Sequence, residues 1–432
     1  MKNILVLSDE RFTRLSAKLR PSLALAAAII LPVVLPPPVA RAQTETILHT
    51  FDGCMTCAYS AGHALLLKGT HLYGVGDGPS DSDVFSENIP AGGQPTFKRI
   101  YAFPGGIGAN FGPTSPLISD AHGNLYGALK DGGTYDDGAV FELTPPAKGQ
   151  TGWTEQLIYS FNSASDQSGI VENGLAMDSS GAIYGATEYG PGGGTICGGV
   201  FKLTPPTGAG EWTKTWLHVF SNSGSDGCQP RGTLLLDGSG NIYGATQFGG
   251  EYFEGTVYTL VPNGQTWTFT TIHHFTGGTD GAQPNAGLIG GAGNLWGTTT
   301  SGGTGNECVN TDYGCGTVFQ LTGGPTYTLT SWHEFGIGTD GFYPRAGLYM
   351  DATGTLWGTT QQGGATGLGS IYKLVPVRTT YDYSLVYAFQ GIFEGDGANP
   401  GCTLIEDASG ALYGTTPAGS GEGGGVIFKL VP

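Results

Sequence analysis

The stretch Gly425-Val-Ile-Phe-Lys-Leu-Val-Pro432 decides the fold. Val426, Ile427 and Phe428 are consecutive and β-branched or aromatic, with Leu430 close behind, as in a strand covered on both faces. Such a strand needs a neighbour along each edge, and the outer one does not follow it in the chain. Related stretches occur upstream: DSDVFSENIP in the first unit, then GAVFELTP (138–145), GGVFKLTP (198–205), GTVYTLVP (255–262), GTVFQLTG (316–323) and GSIYKLVP (369–376). The chain is therefore a repeat array, which has to be resolved before any site is sought.

Each copy follows an element of the form Leu/Ile-Tyr/Trp-Gly, at 72–74, 125–127, 183–185, 242–244, 295–297, 356–358 and 412–414. A strand running into an Asp-x-x-Gly turn precedes it, and that spacing joins the two strands as a hairpin. A fourth element, x-Leu/Ile-His/Tyr-x-Phe, is present at 99–103, 157–161, 216–220, 271–275, 331–335 and 385–389. Its seventh copy lies at the other end of the chain, Ile47 to Phe51.

This circular offset predicts an all-β, seven-bladed β-propeller with four-stranded antiparallel blades. Strands a to d run outward from the axis, and the N-terminal strand 44–51 completes the last blade and removes an exposed sheet edge. The glycine after each Tyr or Trp is expected to admit an aromatic ring from the adjacent blade.

Composition agrees, with 77 Gly, 25 Pro and only 12% charged residues among 432. Lys2, Arg11, Arg14, Lys18 and Arg20 precede the apolar run Leu23 to Leu35, and Ala40-Arg41-Ala42 has the small-x-small form of a cleavage site. Residues 1–42 therefore read as a secretory signal peptide and 43–432 as the propeller. The run is shorter than the roughly 20 residues that span a bilayer. A secreted protein, in the periplasm or outside the cell and with no membrane span after cleavage, is expected. Removing that segment leaves 12 Lys+Arg against 33 Asp+Glu, a net charge of −21. Nucleic acid and anionic membranes are thereby excluded as partners.

The Gly-Asn-Leu-Tyr/Trp-Gly hairpins, the Gly-Gly that follows and the Gly-Thr-Val-Phe-Lys-Leu-Thr-Pro strands cover essentially all of 44–432. In these the chain resembles the GloVer tandem-repeat family of exported bacterial proteins. The resemblance implies architecture and export and carries no activity.

Strand order places the d-to-a and b-to-c loops on one face, the top, with all seven cysteines in such loops. Export favours disulfides, and Cys308–Cys315 and Cys197–Cys228 are the expected pairs. Cys54, Cys57 and Cys402 compete near the ring closure. The d-to-a loops share an Asp-Gly motif at Asp226, Asp280, Asp340 and Asp396, with Asp166 in a degenerate copy. These carboxylates are either repeated turn caps or a Ca²⁺ site, as are Asp77, Asp81 and Asp83. No other cofactor is expected.

One position escapes the repetition. The residue after the loop proline is Thr114, Arg231, Asn285, Arg345 or Gly401, and the degenerate copies put Glu172 and His63 nearby. Arg231 and Arg345 at a channel mouth suit a carboxylate or sulfate ligand. The alternative is that each pairs with its own loop aspartate, Asp226 or Asp340. His49, His218, His273 and His333, with Tyr101, Tyr159 and Tyr387 at the same repeat position, are read as packing residues of strand d.

Three functions are weighed. The first is a monomeric module binding a ligand, glycan or extracellular protein at its top face. The second is a carbohydrate-active enzyme on acidic glycans, a polysaccharide lyase or hydrolase, with the arginines on the uronate and His63 or Glu172 as general base. The third is a structural or adhesive envelope protein. Binding ranks first.

Overall fold

The computed structural model describes residues 44–432 except 53–63, 78–81, 104–112, 114, 131, 163, 165–168, 170, 172–173, 189–196, 209, 222, 306–313, 325, 337–338, 392–393 and 421–422. Residues 1–43, Cys54, Cys57, His63, Asp81, Thr114, Asp166, Glu172 and Cys308 lie outside the described residues. Every regular element among them is a β-strand, and the strands form seven four-stranded antiparallel sheets. No helix of the described residues is long and apolar enough to cross a membrane.

Six blades are made of consecutive strands. The seventh is ordered Thr44–Asp52, Gly423–Val431, Leu412–Thr416, Ile405–Glu406 from outside inward, so the terminal strand finds its outer partner at the N-terminus. Thr44 pairs with Val431, Ile47 with Phe428 and Thr50 with Val426.

The strands carry adjacent apolar residues because each blade is packed on both faces. Tyr126, Val140 and Ile158 of blade two meet Leu175, Phe201 and Leu203 of blade three in one buried cluster. Further clusters repeat this at the other seams, ending with Leu72 and Phe85 of blade one against Tyr413 and Ile427 of blade seven.

The glycine of the Tyr/Trp-Gly element serves its own blade, and the expectation of a neighbouring blade's ring is corrected. Gly185 pairs with Phe201 on strand c, and a Cβ there would fall 2.6 Å from that ring and 3.0 Å from Leu175. A β-bulge explains how strand d turns its His or Tyr outward. Val200 pairs with His218 but Phe201 pairs with Trp216, which makes Leu217 the extra residue. The same slip recurs before Tyr101, Tyr159, His273, His333, Tyr387 and His49.

The residue so presented joins two blades and its own loop. His49, His218 and His333 stack on Phe97, Phe269 and Tyr383 of the next blade at centroid distances of 3.6, 3.8 and 3.9 Å. His218, His273 and His333 also place Nε2 at 2.9, 3.2 and 3.0 Å from the carboxylates of Asp226, Asp280 and Asp340. In blade six Tyr387 donates to Asp396 at 2.6 Å.

These contacts set the pH dependence of stability. Burial alone would raise the Asp226 carboxyl, but hydrogen bonds from His218 and Ser221 outweigh it and hold it at about 2. A depressed folded value contributes stability above the unfolded value near 4, lost as pH falls towards 2. Glu87 has the opposite sign. It stands where other blades have Leu143 or Leu203, is 1% exposed and accepts no hydrogen bond, and burial raises it to about 7. Glu45 is also raised to about 7, by burial and then by Asp396. Both favour the folded state while protonated, a contribution that fades as pH rises from about 4.5 to 7. Thermal midpoints should therefore peak at mildly acidic pH, and Glu87→Leu should flatten the alkaline limb. A midpoint still rising from pH 5 to 8 contradicts this assignment.

Candidate functional site

The innermost strands enclose a cavity of about 510 Å³ lined from all seven blades, including Ala64, Pro116, Gly174, Arg231, Asn285, Arg345 and Thr403. Its size is that of a small-molecule site.

Its mouth is shaped by strained backbone. Gln229, Gln283, Tyr343 and Asn399, each directly before the loop proline, have φ of +56°, +55°, +61° and +58°. A residue before proline ordinarily takes an extended conformation, so these are held against their preference. What holds them is a hydrogen bond from each N–H to a carbonyl of the preceding blade: Cys197, Glu254, Cys315 and Leu368, at 2.9, 2.7, 3.0 and 2.7 Å. The kink turns the chain into strand a, and the residues after the proline in blades four to six, Arg231, Asn285 and Arg345, line the cavity.

Two of those residues have the same side chain in different surroundings. Arg231 Nη2 bonds Glu188 Oε1 at 2.8 Å and Nε bonds Gln247 Oε1 at 3.2 Å. Its carboxylate comes from the end of strand b in the preceding blade. The expected pairing with Asp226 is not formed, because His218 and Ser221 engage that carboxylate. At the next such position but one, Arg345 corresponds to Arg231, Gln361 to Gln247 and Thr300 to Glu188. Thr300 supplies no carboxylate, and Asp340 is held by His333 and Gly336. Arg345 Nε is buried without a hydrogen-bond partner, and so is Thr300 Oγ1. Burial draws the Arg345 guanidinium below its ordinary value, opposed by nearby Tyr343. A buried unpaired donor on a cation costs more than the typical neutral orphan.

Arg231, Asn285 and Arg345 are thus brought together in one cavity. Asp226, Asp280, Asp340 and Asp396 cap their own loops beside strand d. Asp396 accepts Gly391 N–H at 2.8 Å, and Asp280 accepts Thr276 N–H at 2.9 Å. Asp83 pairs with Arg99, and Asp77 ends a strand of blade one. Among the described residues no group of three or more His, Cys, Asp or Glu could hold a metal ion. Cys197 and Cys228 form the expected disulfide, joining blades three and four. Cys315 is disulfide-bonded and Cys402 is a buried free thiol.

Glu188, Gln247 and Thr300 were not among the expected site residues. Their signal is again an escape from repetition: the residue closing strand b reads Lys130, Glu188, Gln247, Thr300 and Gln361.

Residues 112–310 and 307–432 match the Gloeobacter/Verrucomicrobia repeat. No curated protein matches the sequence. Among solved structures, a putative 6-phosphogluconolactonase from Bacteroides uniformis is 12% identical with a TM-score of 0.50, over 79% of this chain and 86% of that one. A protein from Lactobacillus plantarum is 16% identical with a TM-score of 0.45, over 76% and 84%. The polysaccharide lyase Uly1 is 13% identical with a TM-score of 0.47, over 87% and 90%. At such identities the likeness is one of fold.

Proposed function

The chain belongs to the Gloeobacter/Verrucomicrobia repeat family, and we propose that this member is an exported binding module whose central channel takes an anionic ligand onto Arg345. The observation that carries this reading is the buried Arg345 Nε without a partner, in a cavity of about 510 Å³. In a channel shielded from water, a guanidinium attracts an anion far more strongly than it would on the surface. It also presents a planar fork suited to an oxyanion. Gln283 and Asn285 line the same cavity, and their side-chain amides suit a ligand's hydroxyl groups. The Cys197–Cys228 disulfide and the leader-like residues 1–42 support export.

Titration calorimetry with galacturonate, glucuronate and the neutral sugar galactose tests the reading. The acids should bind and galactose should not. Arg345→Ala should weaken binding ~10- to 100-fold, the size of one lost charged hydrogen bond, and Arg345→Lys by less. Unchanged affinity in Arg345→Ala would remove Arg345 from the site and the reading with it.

A further inference from the structure

The two arginine positions form an internal experiment. Both stand directly after a loop proline that follows a left-handed residue; Arg231 lies within the strand Cys228–Leu236 and Arg345 just ahead of the strand Tyr349–Met350. At blade four the facing strand-b residue is Glu188, whose side chain is 9% exposed and whose Oε1 meets Arg231 Nη2 at 2.8 Å. At blade six the facing residue is Thr300, whose hydroxyl has no partner, and Arg345 Nε has none either. The repeat thus shows what a guanidinium meets in this setting, a carboxylate oxygen at Nη2 arriving from the preceding blade and an amide oxygen at Nε from Gln247 of its own blade. It also shows that blade five withholds the carboxylate.

Resting on the anion-binding reading above, we infer that Thr300 is the residue that determines specificity, and that Glu188 marks the chemistry of the ligand. The group taken by Arg345 is a carboxylate in the place where Glu188 would otherwise stand, carried on an uncharged, hydroxyl-bearing body such as a single uronic acid unit. Two further observations restrict the class. The cavity's other cation, Arg231, is paired with Glu188, and the side chains of Gln283 and Asn285 are neutral and suit hydroxyls. The protein's formal net charge of −17 repels polyanions approaching from a distance, so one carboxylate at the channel is favoured over a densely charged polymer lying across the face. Thr300 lines the same cavity, and its hydroxyl is buried and unpartnered.

Substitutions at Thr300 separate charge from size. In Thr300→Glu the introduced carboxylate should pair with Arg345 as Glu188 pairs with Arg231. Galacturonate affinity should then fall at least tenfold while the thermal midpoint rises. Thr300→Gln adds the same bulk without charge and should stay within about threefold of the parent, and Thr300→Ser within about twofold. Equal losses in Thr300→Gln and Thr300→Glu would reduce the position to a steric gate and overturn the inference. So would galacturonate binding to Thr300→Glu with parental affinity, even if Arg345→Ala still lost it; that combination leaves the anion-binding reading standing. Absence of galacturonate binding to the parent protein would overturn both. Galactose 6-sulfate keeps the sugar body but replaces the carboxylate, and its binding as tightly as galacturonate would overturn the carboxylate assignment alone. A Thr300→Glu chain that fails to fold would also count against the inference, because the pairing it predicts stabilises the seam.

Discussion

Loss of residues 44–52 should abolish the cooperative fold of the entire ring, although these are nine of 432 residues. They form the outer strand of blade seven and pair along Gly423–Val431 from Thr44 to Asp52. Without them the long, apolar terminal strand becomes an open sheet edge. Ile47 leaves the cluster shared by blades six and seven, and Leu48 and Phe51 leave the one shared by blades seven and one. Phe51 is also in ring contact with Phe85 of blade one at 5.4 Å, so both seams of the closing blade lose material. Removing three large apolar side chains, each worth about 1.5–3 kcal/mol when fully buried, takes away on the order of 5 kcal/mol. That rivals the 5–15 kcal/mol by which a typical domain is stable at all. Urea unfolding followed by circular dichroism should show a broad, early transition, and a synthetic peptide of residues 44–52 should restore a sharp one. A sharp transition near the parent's midpoint without the peptide would mean that the ring does not depend on its closing strand.

The second large effect lies where strands b and c cross within a blade. Phe201→Ala should cost about 3–5 kcal/mol, because the ring is fully buried and edge-on to Phe161 at 5.2 Å. Gly185→Ala should cost about 1–3 kcal/mol for the opposite reason, since its methyl would press on the Phe201 ring and Leu175. Combined, the two should cost less than their sum, the methyl entering space that the lost ring leaves. Additive losses in a double-mutant cycle would show that the glycine is required for some other contact. The same arrangement recurs at Gly127 with Phe141, Gly297 with Phe319 and Gly414 with Phe428, so one cycle speaks for the others.

The ring was readable because its cause is local and repeated. Each blade needs the same strand chemistry, and the offset of Ile47–Phe51 against Val426–Leu430 left one possible closure. The mouth position was readable for the complementary reason: Arg231 and Arg345 vary where their neighbours do not. What stayed hidden was partnership across a seam. Glu188 and Arg231 are 43 residues apart and meet only because strand b of one blade ends beside strand a of the next. Spacing within a loop favoured Asp226 instead. That aspartate is drawn outward to His218 by a bulge whose extra residue, Leu217, is as apolar as its neighbours and leaves no mark in the pattern. Their repeat positions mark the histidines as packing residues and the loop aspartates as turn caps or Ca²⁺ ligands. The stacking and the capping both appear in the structure, along with a bond between the two groups that neither motif announced.

On the proposed function, Arg345 holds a ligand's carboxylate inside the channel. The most direct measurement is a crystal structure of the protein grown with galacturonate. One sugar acid is expected in the central cavity, with a carboxylate oxygen ~2.7–2.9 Å from the Arg345 guanidinium and its hydroxyls facing Gln283 and Asn285. Galacturonate ordered elsewhere on the protein, with none at Arg345, would contradict it.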